Sequence, residues 1–463
     1  MQLNLIDVLV VALYFTIIAI IGIWFYRKDK HSEKESYILA GRKVTLPFFV
    51  ASLVATWYGN IMGMGEFVYN YGLVAFFCFA FPYYIAALFF AIFVAKKIRS
   101  SNSATIPEQM KNAYGSSASI ISSAIILIIT IPAAYILILG KLIQLFTGWD
   151  LTISLVFSTA ISLIIIYHGG LKADLIANTA QFIFMYIGFA VLLYFCVMNL
   201  GSISDMVSKL PHTHKTPTGT LSWQYVLAWY IIAFQTFIDP SFHQRCAAAE
   251  NSKIAQRGVI ISVIFWMIFD FITLTTGLYA AAYMQLQSPL DAYPVLADLV
   301  LPHVWKGIFL VAIIATVMST LESYSFISAA TFGNDLFPIF WKNLKQTTGT
   351  KIGLIITGVM GILLAIAIPS AIDLVYKTSS IAVPALIVPF TLSYSKKYYL
   401  ETKHSLKIMI STIILTIIWT LSNEYSMKFG INFLYFTKEF EPMFPGIVLS
   451  VILGLFFVKK RTK

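Results

Sequence analysis

The sequence predicts an all-α polytopic membrane protein of about thirteen transmembrane helices, organised as two five-helix halves of opposite topology. Three observations predict it. Of the 463 residues, 59% are hydrophobic and only 11% are charged, whereas soluble domains carry roughly 25% charged residues. Apolar runs of roughly 17–25 residues follow one another with short hydrophilic loops between them. Two of those runs, five spans apart, are badly built as continuous helices: Val50–Gly72 and Gln224–Pro240. Interrupted spans at matching positions of two halves are the sequence mark of an inverted-repeat transporter, and an odd offset of five spans inverts the second half. Residue-by-residue similarity between the halves is absent, so the repeat rests on this pattern.

The spans run in order at about 5–26, 47–71, 73–95, 118–144, 150–167, 174–199, 223–240, 257–285, 304–331, 352–370, 373–395, 406–422 and 443–458. The first, 5–26, stands outside the repeats; 47–199 forms one repeat and 223–395 the other; 406–458 adds two C-terminal helices. Residues 287–303 read as a short amphipathic external helix. Loops after the odd spans hold Lys30, Lys34, Arg42, Lys96, Arg99, Lys172, Arg245, Lys253, Lys351 and Lys403, while the other side holds few bases, Lys215 and Lys438 among them. That bias places the N-terminus outside and the C-terminus in the cytoplasm. It also assigns the net charge of +11 to membrane topology and excludes nucleic acid as a partner. The basic composition suits the cell membrane. Cys78, Cys196 and Cys246 lie in or beside apolar spans without metal-ligand spacing and read as packing residues. No cleavable signal peptide is expected, because MQLNLID lacks a basic start.

The polar groups inside the spans carry the functional reading. In Val50–Gly72, Gly59, Asn60, Gly63 and Gly65 weaken the middle of the helix, each glycine by roughly 1 kcal/mol relative to Ala, and Glu66 follows. A helix opened at that depth exposes carbonyls that can hold a cation; a close-packed small-residue face is the alternative. In span 9, Thr316, Ser319, Thr320 and Ser323 share a helical face and offer hard oxygens suited to a small cation, or else bond back to their own helix. Glu322, Asp270 and Glu66 are intramembrane carboxylates and candidates for function; Asp270, isolated in an apolar run, reads as a group satisfied by a neighbouring donor. Lys172 and Asp174 are expected at a solvated cytoplasmic edge, and His168 beside Gly169 and Gly170 in a turn. No nucleophile–base pair, metal cluster or phosphate loop is present, so the chain is not read as an enzyme.

Five stretches then occur in one order and spacing: Tyr37–Arg42 (YILAGR) with Ala51–Thr56 (ASLVAT), Thr105–Glu108 (TIPE) with Tyr114–Gly115, Gly169–Ala173 (GGLKA) with Gln181, Pro240 with Gln244–Arg245, and Ala315–Ser323 (ATVMSTLES). Together they resemble the sodium/solute symporter family, which includes proline, sialic acid and glucose symporters. The resemblance implies a LeuT-like inverted-repeat fold with one added N-terminal helix, and sodium-coupled uptake by alternating access. Its shared sodium site, carried onto this chain, falls on the carbonyls of Ala55, Tyr58 and Thr316 and the hydroxyls of Ser319 and Thr320. Thr316 replaces the family's usual Ala, to which a carbonyl ligand is indifferent. Where many members carry an Asp in the sixth helix, this chain has Asn178. Glu322 and Ser323 fall at the serine positions of the second cation site found in some members. Two readings follow: a relocated site for sodium or a proton at Glu322, Ser323 and Asn178, or a lost site with one-sodium stoichiometry.

The solute is expected near mid-membrane between spans 2 and 7, with Trp57, Asn60, Gln235 and Asp239 as candidate contacts. Trp57 offers a ring face, and the amides donate and accept. The alternative is that Trp57 packs in the core and Asp239 caps the loop. The expected function is sodium-coupled symport of a small polar organic solute from within the lipid bilayer. Proton coupling is the alternative within the class. A membrane sensor on a symporter-like fold is the alternative outside it, and would expect a kinase or receiver sequence after Lys463.

Overall fold

A computed structural model describes residues 4–28, 34–101, 103–368, 371–429 and 441–461. Of the bases used for topology, Lys30 and Lys438 lie outside the described residues. The chain is almost wholly helical. Seven described helices are long and apolar enough to cross a membrane, and eight when the opened pair is counted as one span. The thirteen spans of the sequence reading therefore appear as fewer long helices with shorter apolar segments between them. The span at 118–144 is one membrane-length unit, Ser116–Thr147, jointed at Pro132 between Ser116–Thr130 and Ala133–Thr147, because proline lacks the N–H that the ladder needs. The spans at 150–167 and 174–199 are two helical stretches within Leu151–Leu200 that meet at Gly170, whose backbone is not helical. Gly170 has φ +56, and a Cβ there would meet the Tyr37 carbonyl at 2.5 Å; this supplies the turn expected beside His168.

The element that positions everything else is Trp305–Ala330. It has polar residues at 316, 319, 320, 322 and 323, yet all five are fully buried. It packs against Leu151–Leu200, the N-terminal helix Leu5–Lys28 and the opened pair Leu46–Trp57 and Ile61–Tyr71. A helix polar at its centre and buried all round must satisfy those groups from its neighbours. Its N-terminal end is tied by Asp7, whose carboxylate accepts from the Val304 and Gly307 amides at 2.9 and 3.2 Å and contacts His303 Nδ1 at 3.1 Å.

Both predicted discontinuities occur. The first pair bends by 55° between Trp57 and Ile61. The second runs Trp223–Ile232, Gln235–Ile238 and Pro240–Ala248. The stretch leading into the first pair is stapled to the end of the second: Val44 N–H donates to Ala248 O at 3.1 Å and Glu250 N–H donates to Val44 O at 3.0 Å; from the later helix Lys96–Ser100, Arg99 Nε donates to Ala249 O. The three cysteines are buried and unbonded, as small packing residues. The segment 287–303, expected to be a short amphipathic helix, contains the helix Ala292–Val300. At the other end, Tyr398–Tyr399 pairs antiparallel with Lys459–Lys460.

Candidate functional site

The first helix stops at Trp57 because Tyr58, Gly59 and Asn60 leave the helical ladder, with Tyr58 at φ −95, ψ 21 and Asn60 at φ −95, ψ 33. Glycine at 59 is required by close approach. A Cβ there would lie 2.5 Å from Cβ and Oγ1 of Thr320, so the bare backbone lets Trp305–Ala330 press into the break. Around that contact neutral oxygens gather. Ser319 Oγ lies 2.8 Å from both the Ala55 and Thr316 carbonyls, and Thr320 Oγ1 donates to Thr56 O at 2.8 Å. All are buried. This donor set is uncharged and hard, so it suits one small monovalent cation rather than a divalent ion that needs carboxylates. Ala55, Thr316 and Ser319 are brought together directly, and Thr320 meets the carbonyl of Thr56. Tyr58 is placed differently: its carbonyl accepts from Ile61 N–H at 3.0 Å, and its phenol donates to Asp270 at 2.9 Å.

One turn further along the buried helix stands a group that the sequence reading missed. Arg245 and Asp174, read as cytoplasmic-edge charges, are both 0% exposed and paired at 3.1 Å. This corrects the expectation of solvation. Arg245 sits on Pro240–Ala248, and its Nη2 reaches Ser52 at 3.1 Å, Thr56 at 2.9 Å and Ser323 at 2.8 Å. Ser323 Oγ in turn donates to Asp174 at 2.7 Å. Asn178 Nδ2 donates to Ser52 and Ser323 at 3.1 and 3.0 Å. The carboxylate thus stands one helical turn before Asn178, on the same face.

Glu322 belongs to a separate cluster. It is fully buried, and Gln181 Nε2 donates to its Oε2 at 3.3 Å; Gln181 Nε2 also approaches Tyr14 Oη at 3.4 Å. Among the described residues, Oε1 of Glu322 and Oε1 of Gln181 have no hydrogen-bond partner. Ser323 and Asn178 therefore join the Arg245–Asp174 pair, and Glu322 does not join them.

The four expected solute contacts, Trp57, Asn60, Gln235 and Asp239, line one cavity of about 180 Å³ beside the broken helix. Trp57 also packs, with ring centroids 5.1 Å from Tyr83 and 5.3 Å from Trp266. Asp239 also caps: it accepts from Ser241 N–H at 2.7 Å and from Tyr324 Oη at 2.8 Å. Asp270, expected to be satisfied by a neighbour, accepts from Tyr58 and Tyr84 and lines the cavity too. Glu66, half-buried, lies outside this lining. The sequence reading did not find the rings of Tyr83, Tyr135, Trp229 and Tyr324, because an aromatic in an apolar span looks the same whether it packs or lines a cavity.

The model of the sodium:solute symporter family matches residues 37–401. The chain belongs to that family. Its members are transporters and not enzymes. The similar curated proteins include the high-affinity choline transporter 1 of Drosophila melanogaster, 23% identical over 80% of this chain and 63% of that protein. They also include the sodium/pantothenate symporter of Escherichia coli K12, 28% identical over 65% and 62%. The chain spans about three-fifths of the length of these relatives. Among solved structures, a substrate-bound outward-open Na⁺-coupled sialic acid symporter superposes with a TM-score of 0.80 over 100% of both chains at 15% identity. At that identity the likeness is one of fold, and the fold of this symporter-family chain is LeuT-like and multi-spanning.

Proposed function

We propose that the chain couples inward sodium movement to uptake of a small polar organic solute by alternating access across the cell membrane. One observation carries this reading: a ring of neutral oxygens from Ala55, Thr316 and Ser319 lies at the break of the opened helix, beside the aromatic cavity. Sodium held there bridges the opened helix to Trp305–Ala330, so its arrival favours one arrangement of the two. Thr320 and the Tyr58 carbonyl complete the proposed shell as the break adjusts. The relatives named for choline and pantothenate support an organic solute. In this reading 47–199 and 223–395 are the two repeats, the thirteen-span count includes the shorter apolar helices, and the N-terminus faces outside.

The Arg245 guanidinium, 2.8 Å from Ser323, already places a fixed positive charge among Ser323, Asn178 and Asp174. That supports one transported sodium over two. Proton coupling keeps one specific observation in its favour, the buried Glu322 without a basic partner. The deciding experiment is thermal stability of the purified chain in detergent, sodium against potassium at equal ionic strength, on wild type and Ser319→Ala. Ligand binding to the folded state raises stability with concentration. A sodium-specific rise lost in Ser319→Ala is expected; equal curves in the two salts for the wild type overturn the sodium reading.

A further inference from the structure

The cavity at the broken helix has a composition that selects among solutes. Nine of its twenty lining residues are aromatic, against 15% of the chain as a whole. Two are carboxylates, Asp239 and Asp270, and among the described residues none of the lining is Lys, Arg or His. Beyond the lining, Pro240–Ala248 carries two buried bases: His243, which meets Tyr394 Oη at 3.1 Å, and Arg245, which lies within electrostatic reach of Asp239 but is paired with Asp174 at 3.1 Å. The lining itself therefore presents two acids and no base.

The rings are arranged around one of those acids. Tyr324 donates to Asp239 at 2.8 Å. Tyr135 packs on Tyr324 with centroids 5.6 Å apart, Trp57 packs on Tyr83 at 5.1 Å, and Tyr83 and Tyr135 both lie within the electrostatic reach of Asp239. Aromatic faces beside a carboxylate attract a cation, most strongly where water is excluded. An anionic solute would meet two like charges and no partner. A polyol would need many open donors and acceptors; the hydroxyls of Thr56, Tyr58 and Tyr324 are committed to Ser52 O, Asp270 and Asp239, which leaves it chiefly the amides of Asn60 and Gln235, with Asn60 Oδ1 unpartnered among the described residues.

We infer that this cavity selects small organic cations of the substituted-ammonium type, held between Trp57, Tyr83, Tyr135 and Tyr324 with Asp239 and Asp270 as counter-charges. The inference deepens the symport reading and rests on it for the direction of transport.

The test is thermal stability of the full chain in sodium with four probes: choline, tetramethylammonium, the uncharged choline isostere 3,3-dimethyl-1-butanol, and glucose. Choline and tetramethylammonium are expected to raise the melting temperature in a saturable way, with apparent affinity at least about tenfold above that of the isostere. Asp239→Asn and Asp270→Asn are expected to weaken the choline effect while keeping the sodium effect. A sodium rise with no response to either cation, or an equal response to choline and its isostere, overturns the inference and leaves symport standing. A choline response without a sodium rise keeps the cation cavity and overturns sodium coupling. Because the probe panel runs on the wild type, the inference stays testable if an Asp variant fails to fold.

Discussion

Replacing Asp174 by Asn should destabilise the chain more than any other single change that preserves side-chain size. The structure sets the magnitude. Arg245 and Asp174 are both 0% exposed and 3.1 Å apart, and the guanidinium reaches Ser52, Thr56 and Ser323 as well. Removing one member of such a buried pair leaves the other charge uncompensated and costs roughly 3–5 kcal/mol. That is about two to four decades in the folding equilibrium. Arg245→Gln should cost a similar amount for the mirror reason. The double variant Asp174→Asn/Arg245→Gln buries no charge and loses only hydrogen bonds, each worth about 1 kcal/mol net. It should therefore be more stable than either single variant, with a coupling energy of at least about 2 kcal/mol. Equilibrium unfolding in mixed micelles on the four proteins measures this. Single-variant losses that add within about 0.5 kcal/mol would refute the reasoning and mean that water reaches the pair.

Four further outcomes follow. Gly59→Ala puts a Cβ 2.5 Å from Thr320 and should cost about 1–3 kcal/mol by overpacking; it should also abolish the sodium-dependent rise in melting temperature, whereas retention of that rise would place the ion elsewhere. Ser319→Ala removes a hydroxyl shared by the Ala55 and Thr316 carbonyls, and should raise the sodium concentration for half-maximal uptake by at least about tenfold without lowering expression, read by solute uptake across a sodium series. Glu322→Gln should leave the sodium Hill coefficient near one if a single sodium is carried; a coefficient that falls from about two in the wild type to about one in the variant would restore a second site at that carboxyl. At the C-terminal end, the hydrogen bond from Lys459, then that from Lys403, pulls Glu401 down from 4.5 to about 2. A lowered folded-state value gives a contribution present above the ordinary range and lost as pH falls toward 2, so the Tyr398–Lys460 strand pair should resist trypsin at neutral pH and open in Glu401→Gln, measured as cleavage after Lys459 and Lys460.

The break at 58–60 was legible because three weak helix formers in a row inside an apolar run are a local property of the backbone. The hydroxyl face at 316, 319, 320 and 323 was legible because helical spacing alone puts those residues on one side. What charges do was less legible. Asp174 lies two residues from Lys172, and Arg245 lies in QRCAAAE, so both read as loop charges by the rule that places bases in the cytoplasm. A signal was present: Arg245 is followed by Cys246 and three alanines, and Asp174 precedes Asn178 by four. No local pattern states that two charges 71 residues apart will meet.

Sequence by itself determined the solvent this chain folds in, the two places where its helices open and the oxygen types on the buried helix, since hydropathy, backbone propensity and helical period are all short-range. Only the tertiary structure decided which carboxylate pairs with Arg245, that Glu322 stands apart from Ser323, and that four separate segments bring their rings around Asp239. Those outcomes depend on how far apart helices pack and how they rotate about their axes. A rotation of one residue, about 100° in a helix of 3.6 residues per turn, exchanges a partner for a neighbour without changing any local preference.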